Sequence, residues 1–240
     1  LNGEYGYYYE AEDSARVYGR ALAREYSQKD TLYAHADTFK VFTYNIRTDS
    51  VYRVMHAYRH MRAYRRDIQA VCDSLVFNGQ DSVMTMYHDP ILWQEGQQLL
   101  GEEIKAFFND STIDSVQVLR QALSVERLDS IHYNQITGSE MHTYFRDGEV
   151  YLSTSIGNVY VNYFHMGEDS ILADMNRTET TFLKIFLKDR KVDKIWMPAA
   201  TGSFYPIPLI PADMLYVENF AWFDYVRPVD KHDIFEWRPK

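Results

Sequence analysis

The sequence predicts an all-β domain of stacked antiparallel strand repeats, on three observations. Short motifs recur at a regular spacing, apolar and polar residues alternate after each motif, and the 240 residues include 20 Tyr and 13 Phe. Aromatic side chains favour the pleated, half-buried surface of a sheet. A motif that recurs every 20 to 50 residues is typical of stacked units, each of which buries its apolar face only against its neighbours.

The first motif is an aliphatic residue, any residue, and then Gly or Ala. Residues five and seven positions after the Gly or Ala are mostly apolar, and those four positions after it are mostly polar, which predicts a strand with one buried face. The parity changes at the Gly or Ala, so we expect a tight bend there. The six copies, 31 to 37 residues apart, end at Gly3, Ala34, Ala70, Gly101, Gly138 and Ala173.

A second motif follows each of these strands and predicts a turn that opens the next strand, because Asp and Ser are turn residues. Its copies are Asp13-Ser14-Ala15, Asp49-Ser50-Val51, Asp81-Ser82-Val83 and Asp114-Ser115-Val116, with weaker ones at Gly148-Glu149-Val150 and Arg190-Lys191-Val192.

A third, apolar motif completes each repeat as strand, turn, strand. Residues 52 to 64 could instead form a helix, but their place in the repeat favours strands. The copies of the third motif are Ala21-Leu22-Ala23, Ile91-Leu92-Trp93, Ala122-Leu123-Ser124 and Val159-Tyr160-Val161, with a looser one at Met61-Arg62-Ala63.

The repeats occupy residues 1–201, and a tail rich in proline and aromatic residues occupies 202–240. Pro206, Pro208 and Pro211 are expected to prevent regular strand pairing in the tail. Its aromatic residues give it a large apolar surface. We expect the tail to fold back as a cap on the last repeat, within the same domain.

Composition excludes several classes of function. A net charge of −9 argues against nucleic-acid binding, which requires Lys and Arg to neutralise phosphates. The sequence contains no run of about 18 apolar residues, so no membrane-spanning segment is predicted. The sequence has no signal peptide, and Leu1 lies inside the first repeat, so we interpret the chain as mature or trimmed.

No catalytic signature is found, so we expect neither an enzyme nor a cofactor. The phosphate-binding, dinucleotide-binding, metalloprotease and hydrolase motifs are all lacking. His56 and His60 have the spacing of metal ligands on a helix, but no third ligand accompanies them, so no metal site is predicted. Cys72, the single cysteine, cannot form an internal disulfide and is expected to be a small packed residue.

One basic cluster stands out in this acidic chain. Arg59, Arg62, Arg65 and Arg66 are candidates for binding the phosphates of a lipid head group or an anionic partner, because guanidinium groups match phosphate geometry. The alternative is a solvated edge balanced by neighbouring acids.

Six segments carry a resemblance to a known family. The chain resembles the OstA-like, or LptA-like, family of periplasmic lipopolysaccharide-transport bridge proteins, which is related to the N-terminal domain of LptD. The resemblance runs from about Tyr5 to Pro228. Its segments are HADTF at 35–39, CDSLVF at 72–77, DPILW at 89–93, YNQITG at 133–138, YFRDGE at 144–149 and WFDYVRP at 222–228.

The resemblance implies a β-taco, or β-jellyroll: two facing layers of antiparallel strands, splayed along one side around an apolar groove for acyl chains. It also implies the periplasm of a Gram-negative bacterium and a role in outer-membrane biogenesis. The partners would be lipopolysaccharide or another lipid, and similar β-jellyroll domains or further copies joined through edge strands. The groove-lining candidates are Leu32, Phe39, Leu75, Phe77, Leu99, Phe108, Ile136 and Phe145.

Two alternatives remain open. In a closed sandwich the same apolar residues would form a dry core, and the protein would be an envelope scaffold that assembles by edge-strand pairing. The second alternative is a carbohydrate-binding or carbohydrate-active β-solenoid. A carbohydrate-active enzyme would need two carboxylates about 5–10 Å apart, and the sequence nominates no such pair.

Overall fold

A computed structural model describes residues 1–26, 30–94, 96–109, 112–167 and 171–240. Over these residues the protein is all-β, with nineteen strands in one antiparallel sheet and only short 3-10 turns, which confirms the predicted fold class. None of the helices in this part of the chain is long and apolar enough to cross a membrane.

The strands are numbered in chain order. They are β1 (Tyr5–Tyr9), β2 (Ser14–Tyr18), β3 (Leu22–Glu25), β4 (Leu32–His35), β5 (Thr38–Tyr44), β6 (Tyr52–Tyr58), β7 (Met61–Tyr64), β8 (Ile68–Cys72), β9 (Ser74–Asn78), β10 (Val83–Tyr87), β11 (Ile91–Gln94), β12 (Gln97–Leu100), β13 (Glu103–Phe108), β14 (Ile113–Arg127), β15 (Tyr133–Arg146), β16 (Glu149–Met166), β17 (Leu172–Lys188), β18 (Lys191–Trp196) and β19 (Thr201–Pro206).

The chain divides into two compact units. Unit 1 comprises Leu1–Glu95, Glu103–Asp114 and Phe223–Lys240, and unit 2 comprises Gly96–Glu102 and Ser115–Trp222. Residues 52 to 64, for which a helix was the alternative, form β6 and β7 of unit 1, so the prediction of strands is confirmed.

Unit 1 consists of two antiparallel layers joined by short bends. Layer A has the strand order β1-β2-β5-β6-β9-β10-β13, and layer B has the order β3-β4-β7-β8-β11. Each repeat enters from layer B, makes a hairpin in layer A and returns to layer B. Where the chain passes from a strand of one layer to a strand of the other, the connecting bend is only one to three residues long.

The layers of unit 1 are closely packed beside the bends. In layer A a cross-strand row of buried residues runs through Phe39, Ala57, Leu75, Met86 and Ile104, each at most 3% exposed. In layer B a row of small residues runs through Ala23, Ala34, Ala63 and Ala70. Small side chains in one layer leave room for large ones from the other, as dense packing requires.

The bends at which the chain returns from layer A to layer B, and their counterparts in unit 2, contain pairs of residues in the left-handed backbone conformation. In unit 1 these are Gly19-Arg20, Arg59-His60 and His88-Asp89, and in unit 2 Arg120-Gln121 and Gly157-Asn158. The third sequence motif begins directly after most of these pairs, where the chain enters its next strand or half-strand. The second motif lies at or next to the predicted turns, except that Asp114 and Ser115 both belong to β14; Ser14 is already the first residue of β2.

The predicted positions of the other bends are correct in some repeats and wrong in others. Gly3, Gly101 and Gly138 lie at bends, and an added Cβ at Gly101 would meet Val118 Cγ1 at 2.5 Å. Ala34, Ala70 and Ala173, however, lie inside β4, β8 and β17. In the second and third repeats the strand after the bend begins at Thr38 and Ser74, four residues after the alanine, whereas in the fourth it begins at Glu103, two residues after Gly101. A shift of two residues keeps every side chain on the same face, so the alternation pattern cannot reveal it.

Unit 2 uses longer strands that themselves bend from one layer to the other. The register is interrupted between Leu119 and Ala122 in β14, between Ile136 and Glu140 in β15, and between Ile156 and Val159 in β16. The half-strands thus form two antiparallel layers in this unit too. Strand β17 pairs with β18 through one half and with β19 through the other.

The tail differs from the prediction in two ways. Its first residues are not outside the sheet, because β19 extends to Pro206 and pairs with β17. The tail proper, residues 207–240, is also more than a cap on the last repeat. Its part in unit 1, residues 223–240, packs on β4 and β7, which belong to the second repeat.

In unit 2 the tail lies against a row of polar side chains in one layer. Consecutive strands place Gln98, Val125, Gln135, Asn162 and Arg177 side by side. Gln135 donates to Leu215 O at 3.0 Å and accepts from Val217 N at 2.9 Å. Gln98 donates to Ala221 O, and Asn162 and Arg177 donate to Met214 O. Tyr133 packs on the tail residues Tyr216, Phe220 and Trp222.

In unit 1 the tail is held by charged groups. Arg62, fully buried in β7, donates to Val226 O at 2.9 Å and to Asp233 Oδ2 at 3.3 Å. Arg238 also donates to both carboxylate oxygens of Asp233. Two ring contacts add to the interface, His35 with Phe235 at 4.8 Å and His60 with Trp237 at 4.5 Å between centroids.

Candidate functional site

An apolar cavity of about 420 Å³ lies on the inner face of layer A in unit 1. Most of its wall is one cross-strand row, in which each residue is the register partner of the next. The row consists of Tyr8, Ala15, Val41, Met55 and Phe77, and Leu1, Thr43 and Arg53 complete the lining.

Strand alternation explains why these side chains face the cavity. Val41 and Phe77 lie two residues beyond Phe39 and Leu75 along their strands and therefore point to the same face. Phe39 and Leu75, nearer the bends, are buried, with 1% and 3% of their surface exposed. Val41 and Phe77 are only half-buried. The interior of unit 1 is thus closed beside the bends and opens away from them.

The chemistry of this cavity suits an apolar chain with a polar end. Its volume lies within the range of small-molecule sites, which are mainly apolar with a few polar groups. Arg53, an exposed residue of β6, contributes a cation to the lining. Its backbone carbonyl accepts a hydrogen bond from Gly79 N at 2.8 Å, which holds this part of the strand in place.

Five of the groove-lining residues that the sequence predicted belong to unit 1, and only some of them lie at the cavity. Phe77 lines the cavity, and the ring of Phe108, also half-buried, lies 6.3 Å from it. Phe39 and Leu75 form the closed part of the core. Leu32 is a half-buried residue at the start of β4 in layer B.

The other three candidates belong to unit 2. Leu99 and Ile136 are half-buried, and both are register partners of Ser124 in one layer. Phe145, in β15, is 9% exposed. They do not line the cavity described above.

Sequence reasoning missed four of the five residues in the cavity row. Val41 belongs to the apolar positions of the first motif and Ala15 to the turn motif, so a partial signal was present. Tyr8 and Met55 become neighbours of these residues only through the pairing of β1 with β2 and of β5 with β6. Alternation within one strand carries no information on cross-strand register of this kind.

The four arginines of the basic cluster do not converge. Arg62 is buried and bonded to the tail, so its guanidinium is not available to a head group. Arg65 Nε donates to Asp67 Oδ1 at 2.7 Å. Arg59 is exposed in a left-handed bend, and Arg66 is exposed between β7 and β8.

Cys72 and the two histidines have structural surroundings. Burial raises the pKa of the Cys72 thiol to about 12, and its Sγ donates to Ser74 O. Burial lowers the pKa of His56, whose ring stacks on Tyr58. His60 Nδ1 lies 3.0 Å from Asp37 Oδ2. Over the described ranges, no group of three or more His, Cys, Asp or Glu side chains could hold a metal ion.

No protein-family model matches the chain, and no curated protein matches it.

Proposed function

We propose that the protein is a non-enzymatic lipid-binding or bridging protein that holds an acyl chain in the cavity of unit 1. The observation that carries the proposal is the row from Tyr8 to Phe77, exposed at Tyr8 and half-buried from Ala15 onward, which lines about 420 Å³ of space on the inner face of layer A. A closed, dry core would bury these side chains as fully as Phe39 and Leu75.

The energetic basis is the hydrophobic effect. Each methylene group of an acyl chain that leaves water contributes about 0.8 kcal/mol, so even a short chain gains several kcal/mol on entering an apolar cleft. Arg53 offers a partner for a carboxylate or phosphate at the end of the chain. An anionic lipid therefore fits the lining better than a neutral one.

The resemblance to OstA-like proteins supports the same proposal and supplies its setting. It suggests lipopolysaccharide as the lipid, outer-membrane biogenesis as the process and the periplasm of a Gram-negative bacterium as the location. The cavity supports only the broader statement, that of an acyl chain with an acidic end.

Native mass spectrometry of the purified protein with palmitate, with lipid A and with lipopolysaccharide tests the proposal. We expect a mass shift for one bound lipid, and we expect Phe77→Asp to abolish it because the new carboxylate would face the acyl chain. The matched control is Phe107→Asp. Phe107 is also half-buried and lies in β13 of the same layer, two strands from β9, but it alternates with buried Ala106 and so points to the opposite face.

Loss of the shift in Phe77→Asp alone, with both variants folded by circular dichroism, would support the cavity. No shift with any of the three lipids would refute it. An equal loss in both variants would show that the cavity is not the binding site.

A second candidate function, assembly through edge strands, rests on β1. All five residues of β1 are exposed, and among the described residues it pairs only with β2. Such an edge can add a strand from another chain. Light scattering over a range of protein concentrations would show concentration-dependent oligomers, and Tyr7→Pro should reduce them if β1 is the contact.

A further inference from the structure

The outer face of layer A in unit 1 carries exposed aromatic side chains. Tyr5, Tyr7, Tyr9, Tyr44 and Tyr58 are each between 41% and 54% exposed. Neighbouring rings lie nearly parallel, as between Tyr44 and Tyr52, whose planes differ by 15°. No segment of the described chain covers this face in the way the tail covers layer B.

A pocket of about 310 Å³ lies on this face. Thr38 is its shortest lining residue, so the space exists because longer side chains surround a short one. Tyr58 lies nearly parallel to His56, with 5.6 Å between the ring centroids. Tyr58 lines the pocket and is 42% exposed, so its ring offers apolar surface to this space. The lining consists of Tyr9, Glu12, Arg16, Thr38, Lys40 and Tyr58.

The side chains that line the pocket carry a net positive charge, although the protein as a whole is acidic. Glu12 accepts hydrogen bonds from Lys40 Nζ at 3.3 Å and from Ser14 Oγ at 3.2 Å. Arg16 is exposed and extends over the ring of Tyr18, 5.1 Å from its centroid. Two cations against one carboxylate leave one net positive charge, whereas the whole chain carries −9.

We propose that this pocket binds an acidic saccharide, meaning a sugar that carries a carboxylate or a phosphate. The flat, apolar C–H face of a sugar ring fits the exposed ring of Tyr58. Its hydroxyl groups fit Glu12 and Thr38, which supply an acceptor and a donor–acceptor. The acidic group fits Arg16 and Lys40 through charge-assisted hydrogen bonds.

This site goes beyond the proposed lipid binding and does not depend on it. The pocket lies on the opposite face of layer A from the cavity, because its residues Thr38 and Lys40 alternate with the inward-facing Phe39 and Val41. A water-soluble sugar has no acyl chain, so a failure of one test leaves the other unaffected.

The test is a saturation-transfer NMR titration of the full chain with glucuronate, glucose 6-phosphate and glucose. We expect at least one of the two acidic sugars to bind about tenfold more tightly than glucose. Lys40→Gln should weaken that binding about tenfold, the usual effect of losing one hydrogen bond to a charged group. If Lys40→Gln does not fold, Arg16→Gln, at an exposed position, takes its place with the same expectation.

Lys105→Gln is the matched control. Lys105 also lies on the outer face of layer A and pairs with a glutamate, Glu103, at 3.1 Å, but it is not a lining residue of the pocket. Unchanged binding in this variant, with weakened binding in Lys40→Gln, would support the proposal.

Three results would overturn it. The first is no saturation transfer to either acidic sugar, and the second is equal weakening by Lys40→Gln and Lys105→Gln. The third is a dimer of the protein that Tyr58→Ala dissociates, without saccharide binding, because the face would then be occupied by a second copy.

Discussion

The C-terminal tail covers layer B in unit 1 and the corresponding layer in unit 2, but different chemistry holds it in each. In unit 2, side-chain amides and one arginine bond its backbone, and no carboxylate takes part in the contacts named above. In unit 1 the buried Arg62 reaches both a tail carbonyl and the carboxylate of Asp233. One extended segment is thus fixed to a sheet in two ways, by hydrogen bonds from side chains to its backbone in unit 2 and by a buried ion pair in unit 1.

The two kinds of attachment should respond differently to mutation and to pH. A neutral amide loses only its hydrogen bonds when it is replaced, whereas removing one partner of a buried ion pair leaves a charge uncompensated. Hydrogen exchange of residues 224–236 and 214–221 can follow the two parts of the tail separately.

The largest effect is expected for Arg62→Met. The substitution removes the hydrogen bond to Val226 O and half of the compensation of Asp233, whose side chain is only 9% exposed. Breaking a buried pair typically costs about 3–5 kcal/mol, and Arg238 still pairs with Asp233, so we expect about 3 kcal/mol in urea unfolding. Hydrogen exchange should rise in residues 224–236 and not in 214–221.

Arg65→Met is the control for this variant. Arg65 lies three residues further along and pairs with Asp67, whose side chain is 53% exposed. An exposed pair contributes at most about 1 kcal/mol. Equal destabilisation by the two variants, or exchange that rises in both parts of the tail together, would contradict separate attachment.

A smaller effect is expected for Gln135→Leu in unit 2. The variant leaves Val217 N without its side-chain partner and removes one of the two side-chain donors to Leu215 O. A buried group without a partner costs about 1–3 kcal/mol, and we expect about 2 kcal/mol in total because Asn162 still reaches Leu215 O. Exchange should rise in residues 214–221 and not in 224–236.

Gln97→Leu is its control, since Gln97 is exposed and points to the other face of β12 from the buried Gln98. It should change the free energy of unfolding by less than about 0.5 kcal/mol. A loss as large as that of Gln135→Leu would mean that the tail contact does not explain the effect.

The local parts of this fold could be predicted from the sequence, and the long-range parts could not. The turns after Asp-Ser and the apolar starts of the return strands follow from a few adjacent residues. The bend positions in the second and third repeats were wrong, because a two-residue shift leaves the alternation pattern unchanged. The cavity row depends on cross-strand register.

The polar row under the tail left a signal that sequence reasoning missed. Gln98 and Gln135 each stand three residues before the glycine of the first motif, Gly101 and Gly138, in two consecutive repeats. Their recurrence could have identified a polar row on one face. Their partners could not have been identified, because Gln98 bonds a residue 123 positions away and Gln135 one 80 positions away.

The smallest expected effect is a loss of protection in acid. Only the part of the tail that packs on unit 1 should show it. The hydrogen bonds from Arg238, together with that from Val229 N and the charge of Arg62, hold the pKa of Asp233 below its usual range. A depressed pKa means that the folded state prefers the carboxylate. The stability from this contact is therefore complete above about pH 4, where a free aspartate is ionised, and is lost as the pH falls through the lowered pKa.

Hydrogen exchange of residues 224–236, corrected for the intrinsic rate at each pH, should accelerate below about pH 4. Residues 214–221 should not change in parallel, because the glutamine and asparagine amides that hold them do not titrate in this range. Asp233→Asn should remove the pH dependence of the first segment while weakening it at neutral pH. If both segments lost protection together in the natural protein, and Asp233→Asn made no difference, acid would act through general unfolding. The two attachments of the tail would then be equivalent in their response to acid.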